Sequence, residues 1–153
     1  MKITIETPKP GEPEEIIIKC NTLNDKITGL ISALKSETED LTGYVEDKIV
    51  KLVSKDIFYF EAVDNKNFAY TKQGVYEVHK KLYEIENEYT YADFLRISKS
   101  VIVNVAKIAY VRPIFNSRFE ATLKNNEKVI ISRQYVSDLK EKLGISEKKN
   151  GSN

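Results

Sequence analysis

Residues able to do chemistry are sparse in this chain. His79 is the only histidine and Cys20 the only cysteine among 153 residues, so a tetrahedral thiolate or imidazole metal site cannot be assembled within one chain. A disulfide cannot close inside it either. His79 opens a Lys-rich stretch with no Ser or Cys placed for it, whereas the base of a nucleophilic triad must be held by a third group; it reads as a solvated surface His. The acid groups Glu84, Glu86, Glu88 and Glu37, Glu39, Asp40 stand in polar stretches, where nothing buries a carboxyl and lifts its pKa for acid catalysis. No GxGxxG, GxxxxGK[ST] or HExxH is present, which removes the usual handles of nucleotide and zincin chemistry. The expectation is a protein that is not an enzyme, with no metal and no cofactor.

A different chemistry is suggested by three small polar sites that interrupt apolar runs. They are Asp64-Asn65-Lys66-Asn67, Ser98-Lys99-Ser100 and Ser132-Arg133-Gln134. Amide, ammonium and guanidinium groups are the types that read purine edges in a major groove, Asn on adenine and Lys or Arg on guanine. Arg133 is expected in the first turn of a C-terminal helix, where a cation opposes the macrodipole. Either an anionic partner or a carboxylate within the fold would account for it.

Charge is divided unevenly along the chain. Residues 1–50 hold six Lys against ten Asp and Glu, residues 51–100 balance at eight each, and residues 101–153 hold ten Lys and Arg against five acids. The basic excess at the end can attract a polyanion, or can be a solvated Lys-rich surface. Nine Tyr and six Phe beside 31% charged residues are too aromatic for a disordered chain and supply a core for one domain with a small appendage. No apolar run approaches the roughly 20 residues of a membrane helix, and the opening MKITIETPKPGEP has no signal-peptide core. A cytoplasmic protein is expected, with no membrane partner.

The elements that must position these sites follow from periodicity. Lys2 to Glu6 and Glu14 to Cys20 read as strands around a turn of Pro8, Pro10, Gly11 and Pro13. Leu23, Ile27, Leu30, Ile31 and Leu34 then fall at helical spacing, with Thr22 or Asn21 as N-cap. Its apolar stripe can lie on the two strands or on a second copy. From Leu41 the texture is short β runs: Thr42 to Val45, Lys48 to Val53, Ile57 to Ala62, Asn67 to Lys72 and Val75 to His79, parted by Glu46-Asp47, Asp64-Asn65 and Gln73-Gly74. A Lys/Glu-rich helix is expected within Glu77 to Asn87. Further strands are expected at Phe94 to Ile97, Lys107 to Phe115, Phe119 to Lys124 and Lys128 to Ile131. A last helix through Val136, Leu139 and Leu143, capped by Ser132 and stopped by Gly144, precedes a frayed polar tail.

Laid out in order, three segments resemble the LytTR family of bacterial DNA-binding domains: Asp56-Ile57-Phe58-Tyr59-Phe60-Glu61-Ala62, Phe94-Leu95-Arg96-Ile97-Ser98-Lys99-Ser100-Val101-Ile102-Val103-Asn104, and Ile130-Ile131-Ser132-Arg133-Gln134-Tyr135 running into Leu139 and Leu143. The likeness spans roughly residues 45–144. It implies a transcription regulator whose largely antiparallel β domain inserts loops into successive grooves of double-stranded DNA. The family's base-contacting positions fall on Asn67, where some relatives carry His, on Lys99, where some carry Asn, and on Arg133, which matches directly. Lys66, Ser98, Ser100, Lys107 and Arg118 are candidate phosphate contacts, which fix register without reading sequence.

The expected class is α+β, predominantly antiparallel β: an N-terminal ββα appendage at 1–44, a LytTR-like domain at 45–145 and a flexible tail at 146–153. The first 45 residues are too few, and patterned too differently, for the phosphoacceptor receiver domain that many LytTR proteins carry. The acidic appendage is expected instead to make a homodimer, whose two basic domains gain affinity by effective concentration. Two other functions remain open on the residues. One is a single-strand or RNA-binding β domain using exposed aromatics, and the other is a protein-interaction or ligand-sensing module working through the N-terminal segment.

Overall fold

The computed structural model describes residues 2–38, 41–89 and 93–145; the expected flexible tail at 146–153 lies outside them. The β runs foreseen from Leu41 onward form within a residue or two of their expected bounds: β1 (Leu41–Val45), β2 (Lys48–Leu52), β3 (Ile57–Val63), β4 (Lys66–Thr71) and β5 (Val75–Val78). After a helix come β6 (Phe94–Arg96), β7 (Val101–Asn104), β8 (Ile108–Ile114), β9 (Arg118–Leu123) and β10 (Lys128–Ile131). Strand β7 was visible in the sequence only as an apolar stretch. Ile102, Val103 and Asn104 are all buried, so no alternation marks the run as a strand. The strands make a seven-stranded antiparallel sheet ordered β2-β1-β5-β4-β3-β7-β6 and a three-stranded sheet ordered β10-β9-β8.

Three expectations are corrected. No strand forms in residues 2–24: three prolines part the two isoleucine runs, and an isolated two-stranded hairpin is marginal in water. Helix α1 (Asp25–Thr38) does form, but its N-cap is Asn24, whose Oδ1 accepts the Ile27 N–H at 2.9 Å. Helix α2 runs Leu82–Tyr89 rather than from Glu77, since Glu77 and Val78 are held in the β5 ladder opposite Phe68 and Asn67. Its start is fixed by Glu84, whose carboxylate accepts the Lys81 N–H at 3.1 Å.

The last helix also begins later than expected. Ser132 leads a one-turn 3-10 segment, Arg133–Tyr135, without a side-chain cap, and α3 spans Val136–Lys142. Arg133 therefore precedes the α-helix instead of sitting in its first turn. Gly144 stops α3 as anticipated, at φ 73°, with the Ile145 N–H on the Lys140 carbonyl and the Gly144 N–H on the Glu141 carbonyl.

Two cores share one strand. On one face of the large sheet, Ile57, Phe60 and Ile102 pack with Leu82, Ile85 and Tyr89 of α2; on the other, Phe58 and Val103 pack with Ala121, Leu123 and Ile131 of the small sheet and Leu139 of α3. Strict alternation would put Ile57 with Tyr59 and Phe58 with Phe60. Instead Ile57 pairs with Thr71 and Tyr59 with Tyr70, leaving Phe58 as the extra residue of a β-bulge. The bulge reverses the phase, so Ile57 and Phe60 face one core while Phe58 and Tyr59 face the other.

Buried Asn104 closes the arrangement. Its Nδ2 donates to the Ile57 carbonyl at 2.8 Å, and its Oδ1 accepts the Ala106 N–H at 3.0 Å, capping the 3-10 turn Val105–Lys107. Asn104→Ala should lower stability by about 2–3 kcal/mol, because it leaves a buried carbonyl and a cap unsatisfied. Thr122 is the opposite case: its hydroxyl oxygen is buried without a hydrogen-bond partner. Thr122→Val, which keeps the shape, should raise stability by about 1 kcal/mol. Urea unfolding of both variants checks the pair of signs.

Candidate nucleic-acid interface

The three polar interruptions are carried to one end of the large sheet by backbone pairing. Strand β3 runs toward that end and turns into β4 at Asp64 and Asn65. Both residues have positive φ, 51° and 63°, as a type I′ hairpin requires. Asn67 is the cross-strand partner of Ala62, and the Ala62 N–H donates to the Ser100 carbonyl at 2.8 Å. The Ser132 N–H in turn donates to the Ile97 carbonyl at 2.9 Å. Asn67, Lys99 and Arg133 thus stand on neighbouring segments: Asn67 faces Ala62 across the hairpin, and backbone hydrogen bonds tie Ala62 to the Lys99 loop and that loop to Ser132, with strand spacings of about 4.8 Å.

Each of the three has a distinct local state. Asn67 sits in β4 rather than in the turn, and one Nδ2 hydrogen goes to the Lys80 carbonyl at 2.7 Å. Its Oδ1 and second N–H are the pair that a bidentate contact to adenine uses. Lys99 is exposed on the β6–β7 loop. Arg133 is exposed, and among the described residues no carboxylate pairs with it.

The phosphate candidates divide. Lys66 opens β4 beside the turn, and Ser98 and Ser100 flank Lys99, with the Ser98 hydroxyl oxygen accepting the Ser100 N–H at 3.2 Å. Arg118 begins β9 one step beyond the Phe119–Ile131 pair, level with Ser132, and its Nε donates to the Phe115 carbonyl at 3.3 Å. All four share the end that carries Arg133. Lys107 does not: it follows the far end of β7, lies over the Phe58 ring at 5.1 Å, and accepts the Lys124 N–H at its carbonyl.

A residue not singled out from the sequence organises the loop. Arg96, whose side chain is 18% exposed, donates from Nε to the Ser98 carbonyl at 2.7 Å and from an Nη to the Lys99 carbonyl, while its other Nη meets Glu86 of α2 at 3.4 Å. The guanidinium fork grips the two peptide carbonyls that flank the Lys99 Cα and leaves the Lys99 side chain outside. The available signal was a lone arginine inside an apolar strand, Phe94-Leu95-Arg96-Ile97, where an unpaired charge would be costly.

The aromatic residues of β3 and the Tyr70 ring of β4 are committed to the fold. Tyr59 and Tyr70 stack on each other with ring centroids 4.2 Å apart, and the Tyr70 hydroxyl donates to Glu61 at 2.9 Å. Burial first, and then Glu61, push the Tyr70 phenol up to about 12. Burial, followed by Glu127, likewise raises Tyr59. His79 stacks on Tyr44 at 3.9 Å and stands 3.8 Å from Glu77. Among the described residues no group of His, Cys, Asp and Glu could hold a metal, and no helix is long and apolar enough to cross a membrane.

Comparison with known proteins bears on the same region. The LytTr DNA-binding domain family matches residues 47–144. The sensory transduction protein LytT of Enterococcus faecalis is 34% identical over 112 residues, covering 73% of this chain and 46% of that protein. The LytT of Bacillus anthracis is 34% identical over 110 residues, 72% and 45% of the two chains, so the chain spans about half the length of these relatives. An uncharacterized HTH-type transcriptional regulator of Staphylococcus aureus is 29% identical over 138 residues, 88% of this chain and 93% of that one. The solved structure of a LytTr DNA-binding domain from Bacillus cereus superposes with a TM-score of 0.65 at 28% identity, covering 69% of this chain and 96% of that one.

The Arg96 clamp is open to direct test. Arg96→Ala should speed amide exchange at Ile97, Ser98 and Ser100 by about tenfold, the loss of roughly 1.4 kcal/mol of local hydrogen bonding. Arg96→Lys keeps the charge without the fork and should recover little of the protection. Hydrogen–deuterium exchange read by NMR measures both.

Proposed function

The chain belongs to the LytTR family of DNA-binding domains, and from that premise we propose that it binds double-stranded DNA sequence-specifically in bacterial transcriptional regulation, with loops entering successive major grooves. The observation that carries this reading is the succession of neighbouring segments at one end of the sheet: Asn67 opposite Ala62 across the hairpin, the Ala62 N–H on the Ser100 carbonyl, and the Ser132 N–H on the Ile97 carbonyl. It lines up an amide, an ammonium and a guanidinium at one end of the sheet with polar atoms to spare. In this reading Asn67, Lys99 and Arg133 touch base edges, and Lys66, Ser98, Ser100 and Arg118 touch phosphates. Lys107, packed on Phe58 at the other end, would reach a phosphate only along a separate stretch of backbone.

The division of labour is 45–145 for DNA and 1–44 for self-association, so that two copies read two half-sites. The single-strand alternative finds less support on the large sheet, where Phe58 and Phe60 are buried and Tyr59 and Tyr70 are stacked on each other, and would have to use the exposed Tyr110 and Phe115 of the small sheet's edge. A protein-interaction role for the N-terminal segment is favoured by its exposed isoleucines, which self-association also explains.

Selection from a random duplex pool should enrich a paired motif. Titration of that duplex against a scrambled one at two salt concentrations should show specific affinity that falls steeply with salt. Arg133→Ala should weaken binding to the selected site by about 10- to 100-fold, equivalent to roughly 1–3 kcal/mol, with little effect on the scramble. Equal losses on both duplexes would make Arg133 a phosphate contact instead. Lys99→Asn should move the preferred base at one position from guanine to adenine. A protein that binds neither duplex overturns the proposal.

A further inference from the structure

The N-terminal arm contains two β-forming runs that the fold leaves without a ladder. Residues 2–24 include no strand, and the arm's described backbone bonding before Asn24 is a local turn between Lys9 and Glu12. Ile3, Ile5, Ile16, Ile17 and Ile18 are exposed, Ile5 at 92% and Ile16 at 70%. The two runs, Lys2-Ile3-Thr4-Ile5-Glu6 and Glu15-Ile16-Ile17-Ile18-Lys19, each carry opposite charges at their two ends. Folding one on the other as a hairpin, with Ile3 facing Ile18 and Ile5 facing Ile16, sets Lys2 against Lys19 and Glu6 against Glu15. Like charges directly opposed across a pair of strands are destabilising, which disfavours that isoleucine-matched register within a chain.

The same charges favour pairing between chains. We propose that residues 15–19 form an antiparallel two-stranded ladder with the same residues of a second copy, centred on Ile17. The proposal rests on the homodimer reading above and names its contact. In this register Glu15 lies opposite the partner's Lys19, Lys19 opposite the partner's Glu15, Ile16 opposite the partner's Ile18, and Ile17 opposite the partner's Ile17. A two-fold axis through the Ile17 pair makes the contact isologous, as closed dimers require. Side-chain alternation sorts the ladder into two faces. One presents four isoleucines, Ile16 and Ile18 from each copy; the other presents the Ile17 pair between two ion pairs. Helix α1 begins at Asp25, six residues after Lys19, and carries exposed Leu30 and Leu34, an apolar cover for the isoleucine face.

Sedimentation equilibrium of the full chain tests the register by charge exchange. Lys19→Glu alone and Glu15→Lys alone should each raise the dimer dissociation constant by about tenfold, since each places two like-charged pairs across the ladder. Mixing the two variants should restore dimerisation, because every cross-pair in the mixed dimer is then Glu against Lys. Ile17→Cys in a Cys20→Ser background should cross-link on oxidation, whereas Ile16→Cys should not, since residue 16 faces residue 18. A wild-type dimer indifferent to the charge variants overturns this contact and leaves the dimer itself standing. A wild-type monomer at all concentrations overturns both. Binding of the variants to a single half-site should be unchanged, so loss of DNA binding in the wild type would speak against the DNA reading and not against the arm.

Discussion

Strand β3 has to be buried on both faces, because one side of the large sheet is covered by α2 and the other by the small sheet and α3. Four consecutive residues, Ile57 to Phe60, are therefore all apolar or aromatic, and the two cores differ in where along the strand they need them. The bulge at Phe58 resolves this by changing the phase of alternation within the strand. Bulges disrupt the ladder and leave a backbone group without its partner strand. Here Asn104 supplies the missing bond, donating to the Ile57 carbonyl from the end of the strand that lies next to β3. Without that bond the junction would hold an unsatisfied buried carbonyl. The candidate interface end depends on the apolar packing of the two sheets, since Asn67 belongs to the large sheet and Arg133 follows directly from the small one.

Most of the fold was legible because its strands are bounded by strong turn residues. Asp64-Asn65 take positive φ in both positions, a conformation that Asn and Asp tolerate better than most residues. What misled the reading was local preference without tertiary support. Ile3, Ile5 and Ile16 to Ile18 have every local property of strand residues but no sheet to join. Glu77 and Val78 lie in a stretch with helical spacing, yet the β4 ladder holds them extended. Strand β7 was missed for the converse reason, since burial on both faces removes the periodicity that identifies a strand.

The candidate interface was legible as residue types and not as geometry. Lys99 and Arg133 could be singled out because polar residues interrupt apolar runs there, and both are exposed. That Lys107 stands apart from them, and that the Asn67 amide is already half engaged with Lys80, depends on sheet register, which a single sequence leaves open. Arg96 was hidden by its surroundings. A cation in an apolar strand has meaning only once its acceptors are seen, and they are backbone carbonyls of its own loop together with a carboxylate from a separate helix.

This arrangement separates the shape of the loop from the identity of the side chain at position 99. Arg96 grips the carbonyls of residues 98 and 99 and the Ala62 N–H holds the carbonyl of Ser100, and none of these bonds involves a side chain at position 99. Ammonium and amide can therefore be exchanged there with the backbone unmoved. A recognition helix must hold its reading residues on a face whose neighbours also pack the core, which couples specificity to stability. A clamped loop has no such coupling at its tip. The constraint passes instead to the clamp, where a guanidinium that is 18% exposed and joined to α2 through Glu86 ties the placement of the Lys99 side chain to the packing of the first core.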